Sequence, residues 1–137
     1  MKIIGIEHIG IAVKDLDKDA LFWSKVLGIE RTNIEDVDDQ GVITDIYDTG
    51  RGKIELLLSK YPDSPIEKFL KNRGPGIHHI CMQVEDLEDA MEQIKNAGGD
   101  LVEPVFDDSR GRHVFVHPKF TGGFLLGLIE LHPGQKP

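Results

Sequence analysis

Two histidines and one glutamate stand where they could hold a divalent metal ion. His8 and His79 occupy the same place in two copies of one pattern. Glu7-His8-Ile9-Gly10-Ile11-Ala12-Val13-Lys14-Asp15-Leu16-Asp17 aligns with His78-His79-Ile80-Cys81-Met82-Gln83-Val84-Glu85-Asp86-Leu87-Glu88. A single histidine on a strand is ordinarily just a hydrogen-bonded polar residue. Two imidazoles related by an internal repeat point instead to metal coordination. Glu55 lies in the apolar run Lys53-Ile54-Glu55-Leu56-Leu57-Leu58. A carboxylate there is costly unless it is paired, faces water or binds a cation. Together His8, Glu55 and His79 make a two-histidine, one-carboxylate set, which suits a divalent transition ion with open positions for substrate oxygens.

Other reactive residue types are weaker signals. His78 should face away from His79 and reads as structural. His117 precedes Pro118 and Lys119, and Lys119 is a candidate contact for an anionic substrate group, although a solvated loop explains both equally well. Cys81 shares the His79 face and reads as a small packed residue rather than a nucleophile. Asp39-Gln40-Gly41 follows an acidic stretch that otherwise reads as a solvated loop. No nucleophile triad, phosphate loop or CxxC pattern is present.

The elements that must position these groups follow from periodicity. In residues 6–13, Ile9, Ile11 and Val13 alternate with His8, Gly10 and Ala12, the period-two pattern of a half-buried strand. Asp-Leu-Asp then supplies helix-start chemistry. Leu16, Ala20, Phe22, Trp23, Val26 and Leu27 are compatible with a core-facing helix that ends at Gly28. Strands are expected over 41–48 and 52–58, and in the second copy near 77–84, 101–105, 112–116 and 123–131, with a helix over about 86–97. Ser64-Pro65-Ile66-Glu67 is a capping box with proline at the first helical position.

The expected fold is therefore α+β, two tandem βαβββ modules forming a single cleft. The expected organisation is one domain over residues 1–137: module one about 1–60, a bridging helix about 64–73, module two about 76–137. Each module's sheet would present a less apolar face to that cleft, a natural place for a ligand.

A net charge of −8 argues against a nucleic-acid partner, which needs a basic face. An anionic small molecule remains compatible, because a few local Lys and Arg suffice. The single cysteine excludes an internal disulfide and suits a reducing compartment, so a cytoplasmic setting is expected. No stretch approaches the ~20 apolar residues of a membrane span.

Several motifs together carry a family resemblance. His8-Ile9-Gly10-Ile11-Ala12-Val13, Asp63-Ser64-Pro65-Ile66, Gly76-Ile77-His78-His79-Ile80, and His117-Pro118-Lys119 with Thr121-Gly122-Gly123 resemble the methylmalonyl-CoA epimerases of the vicinal oxygen chelate superfamily. The match runs in order along nearly the whole chain. The resemblance implies a metal-dependent epimerase that abstracts the α-proton of a methylmalonyl-CoA-like thioester through an enolate, and it implies a homodimer. The metal would be cobalt, nickel, zinc or manganese, on His8, Glu55 and His79. Asp39 would inherit the role of a catalytic base, on a side chain one methylene shorter than the family's Glu.

The last strand departs from the pattern. Gly127 stands where the family carries a glutamate that is the fourth ligand and second base; Glu130 follows three residues later. Such a slip reverses the strand face, so Glu130 could take either role only through a bulge or an insertion. A glyoxalase I-type lactoylglutathione lyase and an iron dioxygenase are the competing enzymes. A non-catalytic small-molecule-binding protein is the reading that Gly127 favours.

Overall fold

The computed structural model describes residues 1–136; Pro137, the end of the expected second module, lies outside the described residues. The strands and α-helices run β1 (Ile3–Val13), α1 (Leu16–Leu21), β2 (Arg31–Val37), β3 (Val42–Asp48), β4 (Lys53–Ser59), α2 (Pro65–Arg73), β5 (Gly76–Val84), α3 (Leu87–Asn96), β6 (Leu101–Asp107), β7 (Gly111–Val116) and β8 (Leu125–Leu131). The architecture is α+β. It divides into two compact units, one of residues His8–His78 and one joining Met1–Glu7 to the chain from His79 onward. The first seven residues thus group with the second copy. Glu85 N–H donates to the Lys2 carbonyl at 3.1 Å, and Arg110 pairs with Glu7.

In the unit His8–His78 the strand order is β2-β3-β4-β1. β1 runs parallel to β4, and the other neighbours are antiparallel. Asp15 caps α1 by accepting from Lys18 N–H at 3.1 Å. Ala20 is buried with Val13, Tyr47 and Leu56, and Leu16 and Trp23 pack against them. After Leu21 the winding loosens to a π-helix over Phe22–Val26, where Leu27 N–H reaches the Phe22 carbonyl at 3.0 Å. That extra residue per turn rotates the apolar stripe. Val26 and Leu27 stand 70% and 47% exposed, and Phe22, two residues on from buried Ala20 and so on the opposite side of the helix, stands 50% exposed, against the expectation that all three face the core.

β2 was not expected, and its end, residues 35–37, lies in the acidic stretch that read as a solvated loop. It is a largely exposed edge strand, held to β3 by the Arg31 guanidinium. Arg31 Nε and Nη2 donate to the two Asp45 carboxylate oxygens at 2.7 and 3.1 Å. Tyr47 OH adds a third bond to Asp45 at 2.8 Å, so this fully buried carboxylate is satisfied. Ser64 caps α2 as expected, accepting from Glu67 N–H at 3.1 Å. Ile66 and Leu70 then bury against Ala12, Val42 and Leu57. Each such burial contributes about 1.5–3 kcal/mol.

The second unit repeats the plan with order β5-β8-β7-β6, β5 and β8 being parallel. Asp86 caps α3, whose Leu87, Ala90 and Met91 pack on Val84, Val114, Val116 and Leu128. Strand alternation turns His79, Cys81, Phe115 and Gly127 to the sheet's other face. Among the described residues no helix is long and apolar enough to cross a membrane.

Candidate functional site

Register explains why His8 and Glu55 meet. On paired strands β1 and β4, Gly10 stands opposite Glu55 and Ala12 opposite Leu57. His8, Gly10 and Ala12 share one face by alternation, so Glu55 projects on the histidine's side. His8 Nδ1 lies 3.1 Å from Glu55 Oε2, with only 8% and 12% of the two side chains exposed. One imidazole nitrogen and one carboxylate, both drawn largely out of water, suit a divalent ion of the borderline or harder kind. Glu7, which precedes His8 on β1, belongs to the other unit, where its carboxylate takes a short contact from Arg110 Nη2.

His79 is buried on β5 and rests edge-on against Phe115, ring centroids 5.5 Å apart. Phe115 leans on Phe106 at 5.9 Å, and Phe106 stacks on His113 at 4.8 Å. Gly127 stands opposite both Cys81 and Phe115 in register. A Cβ at 127 would lie 3.2 Å from Phe115 Cε1 and 3.3 Å from Cys81 Sγ. The space beside Gly127 is therefore filled by an aromatic edge and a thiol.

The structure does not bring Glu130 to His79. Leu125 is the residue opposite His79, and Glu130 lies five positions further along β8, on the other face. Its Oε1 accepts the Leu87 N–H at 2.8 Å, at the N-terminus of α3. There the carboxylate satisfies one of the helix's unpaired donors and meets the positive end of its dipole. β8 runs without a bulge in this stretch, so Glu130 lies at the start of α3 rather than on the His79 face where a fourth ligand or second base was expected.

Asp39 sits exposed in a 3-10 turn, Asp38–Gln40, that Gly41 closes in the left-handed region at φ 65°. His117 caps a similar turn over Pro118–Phe120, its Nδ1 accepting Lys119 N–H at 3.2 Å. The Lys119 ammonium is exposed, 3.9 Å from Asp100 and 5.2 Å from the Phe120 ring centre. His78 packs edge-on against Phe69 at 5.0 Å, and burial pushes its pKa down.

His113 also approaches Asp108, Nε2 to Oδ2 at 2.9 Å. Burial pushes the Asp108 carboxyl up, but His113 and the N–H groups of Arg110 and Gly111 outweigh it and hold the group at about 2. A carboxyl held below its ordinary value stabilises the fold above that value, and the contribution fades as pH falls through the folded pKa. Asp108 is 43% exposed, so screening reduces the effect to about 1 kcal/mol. Urea unfolding should show Asp108→Asn less stable than wild type by that amount at pH 6. The gap should close between pH 4 and pH 2. A gap independent of pH would remove the ionised carboxylate from the account.

Known proteins resemble this chain over most of its length. Residues 7–116 match the Glyoxalase/Bleomycin resistance protein/Dioxygenase superfamily. The chain is 37% identical over 128 residues to the mitochondrial methylmalonyl-CoA epimerase of Homo sapiens, covering 91% of this chain and 73% of that one. It is 38% identical over 130 residues to the ethylmalonyl-CoA/methylmalonyl-CoA epimerase of Cereibacter sphaeroides, covering 92% and 97%. The crystal structure of methylmalonyl-CoA epimerase from Mycobacterium tuberculosis matches with TM-score 0.89 at 34% identity, over 96% of this chain and 90% of that chain.

Proposed function

As the chain belongs to the Glyoxalase/Bleomycin resistance protein/Dioxygenase superfamily and, within it, to the methylmalonyl-CoA epimerases, we propose that it interconverts the α-carbon epimers of methylmalonyl-CoA or a closely similar malonyl-type thioester. The observation that carries this reading is the likeness to epimerases along nine-tenths of the chain. The buried His8–Glu55 pair gives it a chemical centre.

The reaction removes a proton from the carbon between a thioester and a carboxylate, then returns one to the opposite face. A divalent ion (cobalt, nickel, zinc or manganese) held by His8 and Glu55, with His79 as the donor expected from the second copy, would supply positive charge for the developing oxyanion. Asp39 takes the α-proton, as an exposed carboxylate whose reach is set by its turn. With Glu130 committed to α3, return of a proton to the other face is left to solvent. Lys119 is exposed beside Asp100 and would meet an anionic part of the thioester by turning from that carboxylate. A cytoplasmic homodimer completes the proposal, the compartment from the single cysteine and the dimer from the family likeness.

Proton exchange tests it. Protein reconstituted with each of the four metals, and a metal-free control, is incubated with methylmalonyl-CoA in D₂O. NMR should show metal-dependent deuterium at the α-carbon. Asp39→Asn should retain metal and slow the exchange about 100-fold, the usual scale of a positioned base. Absence of exchange with every metal would overturn the epimerase reading and leave a protein that binds a small molecule without turning it over.

A further inference from the structure

The turn that carries Asp39 is gripped from both sides by one neighbouring segment. On one side, Lys60 Nζ donates to Asp36 Oδ1 and Asp38 Oδ1, each at 2.6 Å. Tyr61 OH makes a further short contact to the same Asp38 oxygen. On the other side, Lys60 N–H donates to the Gly41 carbonyl at 2.9 Å. Gly41 also lies so close to this segment that a Cβ there would be 3.0 Å from Ser64 Cβ and 3.4 Å from Tyr61 Cδ2. Residues 38 and 41 are thus held by Lys60, Tyr61 and Ser64, and Asp39 lies between them.

The gripping segment is itself fixed. Ser59 Oγ donates to the Tyr61 carbonyl at 2.8 Å and lies 2.6 Å from Ser64 Oγ. Ser64 N–H donates to the Tyr61 carbonyl at 3.1 Å, and Ser64 caps α2, which Ile66 and Leu70 anchor in the core. The Asp39 turn is therefore tied to a packed helix.

Stability does not account for this arrangement. Asp36 and Asp38 are 61% and 70% exposed, and ion pairs at such sites contribute little. Geometry accounts for it better. An aspartate has only two side-chain torsions, so its backbone largely fixes where its oxygens lie. A misplacement of about 1 Å can cost a hundredfold in rate.

We propose that Lys60 and Tyr61 are positioning residues for Asp39, acting through the Asp38 carboxylate and the Gly41 carbonyl. This rests on Asp39 being the base. Asp38 and its two donors hold one side of the turn, and the Lys60 main chain holds the other. The effect falls on proton transfer and leaves substrate and metal binding alone.

The test uses the full chain loaded with one metal. Lys60→Met and Tyr61→Phe keep the apolar stems and remove the polar ends. Each should lower kcat and α-carbon deuterium uptake about tenfold, with KM, metal affinity and Tm close to wild type. Lys60→Arg should restore most of the rate. Amide hydrogen exchange at residues 38–41 should rise about tenfold in both slow variants, a readout independent of turnover. The same two substitutions in an Asp39→Asn background should cost nothing more, because the residue they position is already disabled. Wild-type kcat in Lys60→Met/Tyr61→Phe, with Asp39→Asn slow, would overturn the positioning role and leave the base. Wild-type kcat in Asp39→Asn would overturn the base and the positioning role together. Equal losses in both backgrounds would make the clamp a general structural support and overturn the proposal.

Discussion

His8→Ala should abolish stoichiometric metal binding and, with it, exchange at the substrate's α-carbon. The His8 side chain is 8% exposed and meets the Glu55 carboxylate at 3.1 Å, so on the proposed reading its loss removes a ligand and leaves Glu55 without that neighbour. Changing only the partners of a metal ligand typically costs 10–100-fold in affinity. Loss of the ligand itself should exceed about 100-fold. Thermal unfolding reads this directly. A metal present at a hundred times its Kd stabilises the wild type by about 2.7 kcal/mol, and His8→Ala should show almost none of that shift. Glu55→Gln should fall between, since an amide oxygen can still coordinate but carries no charge. His79→Ala is the independent arm. An undiminished metal shift there would confine the site to the first copy and remove the second-half histidine from it. An undiminished shift in His8→Ala would remove the metal centre altogether.

What the sequence disclosed depended on whether its signal was local. The Ser64 cap and Pro65 start of α2 are readable within four residues, and the helix begins there. The repeat located β1 and β5 together, because alternation in both copies fixes which side chains share a face. Glu55 was legible because a lone carboxylate inside an apolar strand demands a reason. β2 was not legible. Arg31-Thr32-Asn33-Ile34-Glu35-Asp36-Val37 lacks an apolar face, and what makes it a strand is pairing to β3 plus the Arg31 fork on Asp45, 14 residues away. The outward turn of Leu27 was equally hidden, because it follows from π winding that a 3.6-residue period does not contain, whereas Phe22, two residues from buried Ala20, faces outward on that period already. Glu7 and Glu130 are defined by partners 103 and 43 residues distant. No spacing rule reaches those contacts, so their roles emerged only with the fold.

Restoring a glutamate at position 127 should damage the fold without strengthening the metal site. A Cβ at that point meets Phe115 Cε1 at 3.2 Å, Cys81 Sγ at 3.3 Å and Cys81 Cβ at 3.5 Å, and Cys81 is 2% exposed. Overpacking of a filled interior costs about 1–3 kcal/mol. The ionised carboxylate adds a desolvation cost unless a cation meets it. A total of about 3 kcal/mol or more is expected for Gly127→Glu, which urea unfolding would measure. Gly127→Ala should cost about 1 kcal/mol, because Phe115 has only to yield by a few tenths of an ångström. Phe115 is also the ring against which His79 rests, so pushing it aside should weaken metal binding. Phe115→Ala/Gly127→Glu separates the two effects by making room. Recovery of stability there, with metal affinity at or below wild type, would show that the glycine and the phenylalanine are one packing solution built without a fourth ligand. Tighter metal binding in the single Gly127→Glu variant, with wild-type stability, would mean that Phe115 and Cys81 yield freely and that the glycine marks a ligand simply lost.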